Sequence, residues 1–171
     1  MHDLAQKRDA ILEQWLGQTL ASYPSQTARF LRDENDRFRN PVGHTLKVGL
    51  VTLLEEITGE MDRAKIEPAL ESIVRLRAVQ DFTPAQATGF VFALREILNG
   101  KLAGGGPPTW HKRIDELALL AFNLYTKCRE EIGEIKIRER RRKVYVRERI
   151  SQRAQHDLGC SSKGSTLSSR G

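Results

Sequence analysis

From Leu4 to Ile135 the apolar residues return every three or four positions, and Pro or Gly interrupts the pattern about once per helix length. That period puts them on one face of an α-helix, whereas a half-buried strand would alternate at every second position. The first stripe is Leu4, Ile11, Leu12, Trp15, Leu16 and Leu20. A second helix is expected with Pro24 at its first position, Ala28, Phe30, Leu31 and Phe38 on its apolar face, and a break at Asn40-Pro41. A third carries Leu46, Leu50, Leu53, Leu54 and Ile57 and stops at Gly59, a residue free to take the left-handed conformation past a helix end. Pro68 is placed at the first position of a fourth, which holds Leu70, Ile73, Val74 and Leu76 and reaches about Gln80. Thr83-Pro84-Ala85-Gln86 supplies an N-cap, a first-turn proline and a capping-box partner, so it starts a fifth helix through Phe90, Val91, Leu94, Ile97 and Leu98 to Gly100. Three glycines and two prolines at Gly104 to Pro108 then form a linker. A sixth helix opens near Thr109 and carries the seam Ile114, Leu117, Ala121, Leu124, Cys128, Ile132 and Ile135. Apart from the short Val144-Tyr145-Val146 run, nothing resembles a strand. The pattern predicts an all-α bundle of six helices with a long C-terminal helix.

A chain of 171 residues suits one domain and a tail. The net charge of +6 is unevenly placed. Residues 1–135 hold 17 Lys and Arg against 19 Asp and Glu, whereas residues 136–153 hold nine basic residues against two acidic ones. The expected division is therefore a helical domain at 1–135 and a basic helical extension at 136–171, ending in a Gly/Ser-rich tail from residue 154 that reads as disordered. Arg138, Arg140, Arg141, Arg142, Lys143, Arg147 and Arg149 are the candidates for binding a polyanion, a nucleic acid or an anionic surface. No apolar run is long enough to span a membrane, and the N-terminus has no signal-peptide core, which gives the expectation of a cytoplasmic protein.

Residue types that carry chemistry occur without the spacing that chemistry needs. His44 and His111 lack a second histidine or cysteine three or four residues away, and Cys128 and Cys160 show neither a disulfide framework nor a zinc pattern, so no metal and no cofactor are expected. Asp33, Glu34 and Asp36 interleave with arginines, as on a solvated helix with ion pairs. No nucleophile, phosphate-loop or metalloprotease motif is present, and no enzymatic activity is expected. Ala85, Gly89 and Ala93 form a small-residue stripe on the fifth helix, read first as intramolecular packing and second as a dimer contact; Leu117 and Leu124 belong to the same packing set.

Helix geometry singles out one polar position. Taking Ile73 as zero and about 100° per residue, Leu76 falls at about 300°, Arg77 at about 40° and Gln80 at about 340°, inside the apolar stripe. A guanidinium there needs a carboxylate such as Asp81 or one from another helix, helix-end carbonyls, a subunit neighbour or an anionic ligand. Arg77 and Gln80, beside the turn Asp81 to Pro84, are the candidate polar part of a regulatory site, with His44 as a further candidate.

The stretches FLRDENDRFRNPVGHTL (Phe30 to Leu46) and IVRLRAVQDFTPAQATGFVFALREIL (Ile73 to Leu98), with LEQWL at Leu12 to Leu16, carry more than periodicity. They resemble the N-terminal domain of RsbRD-type proteins, the RsbT co-antagonist family. The resemblance implies a globin-like sensory domain that binds no haem, is often dimeric, and in full-length relatives feeds a STAS domain in a stress-signalling complex. Only 36 residues follow Ile135, too few for a STAS domain of roughly 100 residues. The expectation is a free-standing sensor or adaptor in stress or redox-related regulation, homodimeric, acting on a separate output protein; the alternative is a nucleic-acid-binding protein that uses the basic arm.

Overall fold

Asn40 shows how local chemistry sets the helix order. Its Oδ1 accepts from the N–H of Gly43 at 2.8 Å and starts one helix, while its Nδ2 donates to the carbonyls of Leu31 at 3.0 Å and Glu34 at 2.9 Å and closes the one before. One buried amide thereby caps two helices, satisfying groups that a helix end leaves without partners. A Cβ at Gly43 would collide with the Asn40 amide and the Leu31 carbonyl, so this corner requires glycine.

The computed structural model describes residues 2–34 and 36–161. Among these the helices are α1 (His2–Leu20), α2 (Ser25–Asp33), α3 (Pro41–Thr58), α4 (Arg63–Val79), α5 (Pro84–Lys101) and α6 (Pro108–Ser161), with a short 3₁₀ turn at Ala103–Gly105. The backbone falls into two units, Met1–Arg129 and a second that begins at Glu130. In the first, α3 packs along α4, α1 lies against α5 and α3, and α2 bridges α1 and α3. Ile11 and Trp15 of α1, Leu50 and Leu53 of α3, Ile73 of α4, Leu94 of α5 and Leu117 of α6 are among the buried side chains of the core. Trp15 also donates from Nε1 to the carbonyl of Phe90 at 2.6 Å, fixing α1 to α5. The second unit is helical from Glu130 to Ser161, so Val144-Tyr145-Val146 is helix. Residues 154–161, expected without structure, are also helical, and residues 162–171 lie outside the described residues.

Four local expectations are corrected. Phe38 is not on α2 but 81% exposed on the turn after it, because the Asn40 amide closes α2 at the preceding turn and Asp36 accepts from the Phe38 N–H at 2.9 Å. The fourth helix begins at Arg63 and contains Pro68: the Asp62 carboxylate accepts from the Ala64 N–H at 2.9 Å and caps the helix one and a half turns earlier. Gly59 has φ −103°, and the left-handed residue is Met61 at φ 63°. That turn is held by Glu56, whose backbone carbonyl accepts from Met61 at 3.0 Å and whose carboxylate accepts from Asp62 at 3.0 Å and pairs with Lys65 at 3.1 Å. The Asp62 N–H, then Lys65, hold the Glu56 carboxyl below its ordinary pKa. Pro24, finally, sits one position before α2, as its N-cap.

The glycine linker turns as its composition requires: Gly104, Gly105 and Gly106 all have positive φ, and a Cβ at 105 or 106 would meet Asn99 or the Trp110 ring.

Replacing Asn40 by Ala should cost about 2–3 kcal/mol, because one cap acceptor and two carbonyl partners are lost together. Asn40→Asp, which keeps the acceptor, should recover part of that. Urea unfolding measures both; a loss below 0.5 kcal/mol (roughly the noise of a surface change) would show that the double cap does not hold α2 and α3.

Candidate functional site

Arg77 lies in the last turn of α4 and is 1% exposed. Its position follows from the helix period: it faces the stripe that buries Leu70, Ile73 and Val74. Among the described residues no carboxylate pairs with it. Instead Nη1 donates to the carbonyl of Gln86 in the first turn of α5, and Nη2 donates to the carbonyl of Thr19 in the last turn of α1 and to Ser22 Oγ at 3.3 Å. The guanidinium carbon lies 5.2 Å from the ring centre of Phe82, 5.4 Å from Phe90 and 5.9 Å from Tyr23. Its Nε is buried without a hydrogen-bond partner, as is Thr19 Oγ1.

The charge is thus solvated by main-chain carbonyls and aromatic faces. The last carbonyls of α1 have no partner further along the helix and form the negative end of its dipole, so a cation is favoured there. Ring faces add attraction that grows when water is excluded. Burial nevertheless holds the Arg77 pKa below its ordinary value, with the Tyr23 hydroxyl working against that; burial raises Tyr23.

The cluster continues through the turn between α4 and α5. Tyr23 packs edge-on against Phe82 with centroids 5.0 Å apart and donates from its hydroxyl to Gln80 Oε1 at 2.7 Å. Asp81 has φ 59°. From α6, Tyr125 donates to the carbonyl of Phe82 at 2.6 Å, and Arg129 donates to the carbonyl of Ala78 at 3.0 Å and to Asp81 Oδ1 at 2.6 Å. The next helix starts at once: the Thr83 N–H donates to Gln86 Oε1 at 3.0 Å and the Gln86 N–H to Thr83 Oγ1 at 3.3 Å, the capping box expected from the sequence. Four helix segments, α1, α4, α5 and the first part of α6, converge on one cation and one turn.

Several candidates fall elsewhere or behave differently. Asp81 serves Arg129 and leaves Arg77 to the carbonyls, because the left-handed backbone at Asp81 turns it outward to α6. Gln80 caps α4 and is exposed instead of buried in the stripe. His44 is exposed on the first turn of α3 and shares no hydrogen bond with the cluster. Thr19, Ser22, Tyr23, Phe82, Tyr125 and Arg129 were not singled out by the sequence; all six form hydrogen bonds across 43 to 58 residues of chain, which periodicity does not reach. Ala85 and Gly89 are exposed, and a Cβ at Gly89 would meet nothing within 4 Å, so this stretch of the stripe receives no helix of its own unit. Ala93 and Leu124 are half-buried and Leu117 is fully buried. Beside the stripe, Phe92 (49% exposed), Leu119 (69%) and Phe122 (53%) border one groove with Thr88, Asp115 and Ala118. In the second unit, Arg138, Arg140, Arg141, Arg142, Lys143, Arg147 and Arg149 are exposed; Arg138 pairs with Glu134 at 3.5 Å and Arg149 lies over the Tyr145 ring at 5.6 Å. Among the described residues no group of three or more His, Cys, Asp or Glu could hold a metal ion, and no helix is long and apolar enough to cross a membrane.

The turn at Arg77 to Pro84 is also the string that carried the resemblance, and the family model described as the RsbT co-antagonist protein rsbRD N-terminal domain matches residues 9–140. The chain belongs to this family. The rsbRD N-terminal domain is a regulatory, sensor-like module of stress-response signalling, and the match covers the whole Arg77 cluster and all of α2 to α5. No curated relative and no solved structure matches the chain.

Arg77→Met should lower stability by about 1–3 kcal/mol, since three charge-assisted hydrogen bonds and three ring contacts are lost while the cost of burying a charge is relieved. Arg77→Lys should not restore it, because one ammonium cannot fork between the Thr19 and Gln86 carbonyls. Thermal and urea unfolding of both variants provide the check; wild-type stability in either would remove Arg77 as the tie between α1 and α5.

Proposed function

We propose that this rsbRD-type domain is a non-enzymatic sensor or adaptor that works by binding a ligand or protein partner and passes the result, through α6, to a separate output protein. Stress or redox-related regulation in the cytoplasm is the setting this reading assigns it. The observation that carries the reading is the uncovered face of α5 and α6. Gly89 has open space above it, Ala85 beside it is exposed, and Phe92, Leu119 and Phe122 present apolar surface around one groove. Contiguous exposed apolar side chains of this kind mark interaction sites. They lie on the same two helices that hold the Arg77 turn, so occupancy of the face can bias the turn through Tyr125 and Arg129.

The occupant we assign to the face is a second copy of the chain. Small residues let another helix approach closely, and flanking aromatic side chains supply the buried area. A second reading, polyanion binding, is favoured by the seven exposed cations from Arg138 to Arg149, whose charge density would attract nucleic acid or anionic lipid without sequence preference.

Light scattering at micromolar concentration should give twice the 19.4 kDa chain mass for the wild-type protein. Phe122→Glu, a change at an exposed position, should give a monomer that remains folded by circular dichroism. A wild-type monomer across that range, or a Phe122→Glu dimer, would remove the face as the homodimer contact.

A further inference from the structure

A second concave feature of the first unit lies where α1, α2 and α3 meet. Leu12 and Leu16 of α1 and Leu50 and Val51 of α3 wall a half-open cavity of about 270 Å³. Its rim is ionic: Arg32 from the last turn of α2, Lys47 from α3 and Glu13 from α1. The two cations are tied together, since Lys47 Nζ donates to the main-chain carbonyl of Arg32 at 2.8 Å. The Arg32 guanidinium is drawn over the α1 backbone at Gly17, where a Cβ would lie 3.3 Å from Nη2. Across the same mouth Arg32 and Glu13 form no ion pair, and the Arg32 side chain has no hydrogen-bond or ion partner among the described residues. An apolar pocket with an unpaired guanidinium at its mouth lacks one thing: an anion attached to an apolar body.

We propose that this cavity is a binding site for a short acyl carboxylate, its hydrocarbon among Leu12, Leu16, Leu50 and Val51 and its carboxylate on Arg32, with Lys47 adding positive potential. The size sets the class. Small-molecule sites run from about 300 to 1,000 Å³, so this cavity takes a chain of several carbons and leaves the head outside. The charge sets the head group. Arg presents a planar fork that matches a carboxylate, and the rim carries two positive groups against one negative. Glu13 opposes the anion and therefore limits affinity. The site goes beyond the reading of the α5–α6 face: it shares no residue with that face or with the Arg77 cluster, and its occupancy is measurable whether or not the chain dimerises.

The experiment titrates sodium octanoate, below its micelle concentration, into the full chain, followed by calorimetry and by methyl NMR, with octanol as the uncharged control. The expected result is saturable binding at one site per chain, with shifts in the methyls of Leu12, Leu16, Leu50 and Val51. Octanol should bind about tenfold more weakly, the scale of one charge-assisted hydrogen bond. Arg32→Gln should weaken octanoate by about the same factor and leave octanol unchanged, whereas Glu13→Gln should strengthen octanoate. Both substitutions are at exposed positions and leave the core intact. Val51→Phe should block both ligands. The proposal is overturned if octanoate does not saturate, if octanol binds equally well, or if Arg32→Gln leaves octanoate binding unchanged. Failure here with an intact dimer would leave the α5–α6 face standing; binding here by a monomer would do the reverse.

Discussion

A guanidinium removed from water without a carboxylate beside it must be solvated by the fold. Desolvating a charge costs several kcal/mol even after relaxation, a large part of the total stability of a domain this size. The chain meets this cost at Arg77 with the carbonyl of Thr19, the carbonyl of Gln86, Ser22 and three aromatic rings. Those groups come from three segments, so the charge is satisfied only when the end of α1, the turn after α4 and the start of α5 are in place together. The requirement makes assembly of this corner all-or-none, and the turn carries Asp81 in a left-handed conformation because α6 holds it: Arg129 binds the Asp81 carboxylate and Tyr125 binds the next carbonyl, that of Phe82.

What the sequence made legible was local. The capping box at Thr83 and Gln86 and the break at Asn40-Pro41 are satisfied within three residues, and both stand in the structure at those residues. The burial of Arg77 was legible too, because the helix period places it in the stripe. The errors came where a distant group decides. Pro68 looked like a helix start because the Asp62 cap was not recognised, and proline in the second turn gives up only one hydrogen bond. Phe38 looked like core because its spacing fits α2, yet the Asn40 amide had already ended that helix. The partners of Arg77 come from 58 residues before it and from 9 after it; of the alternatives open to the charge, helix-end carbonyls are met at Thr19 and the carboxylate is not, and every residue possesses a carbonyl. Composition cannot distinguish those two solutions.

Membership of the rsbRD N-terminal family places these features in a regulatory domain. A sensor needs a surface to be occupied and an element to respond. In the function we propose, the Arg77 corner is the second, since hydrogen bonds join the end of α1 and α6 to its turn; the uncovered α5–α6 face and the α1–α2–α3 cavity are the proposed points of entry, one by way of α6 and the other by way of α1.

Coupling of α1 to α6 through the turn is tested by native-state hydrogen exchange of Tyr125→Phe. That substitution removes one hydroxyl, the donor to the Phe82 carbonyl, and leaves the ring in place. If the two are coupled, amide exchange speeds up together in the Asp81 to Thr83 turn and in the last turn of α1, by about tenfold for the loss of one buried hydrogen bond. Faster exchange confined to α6, with the end of α1 as protected as in the wild type, would contradict it.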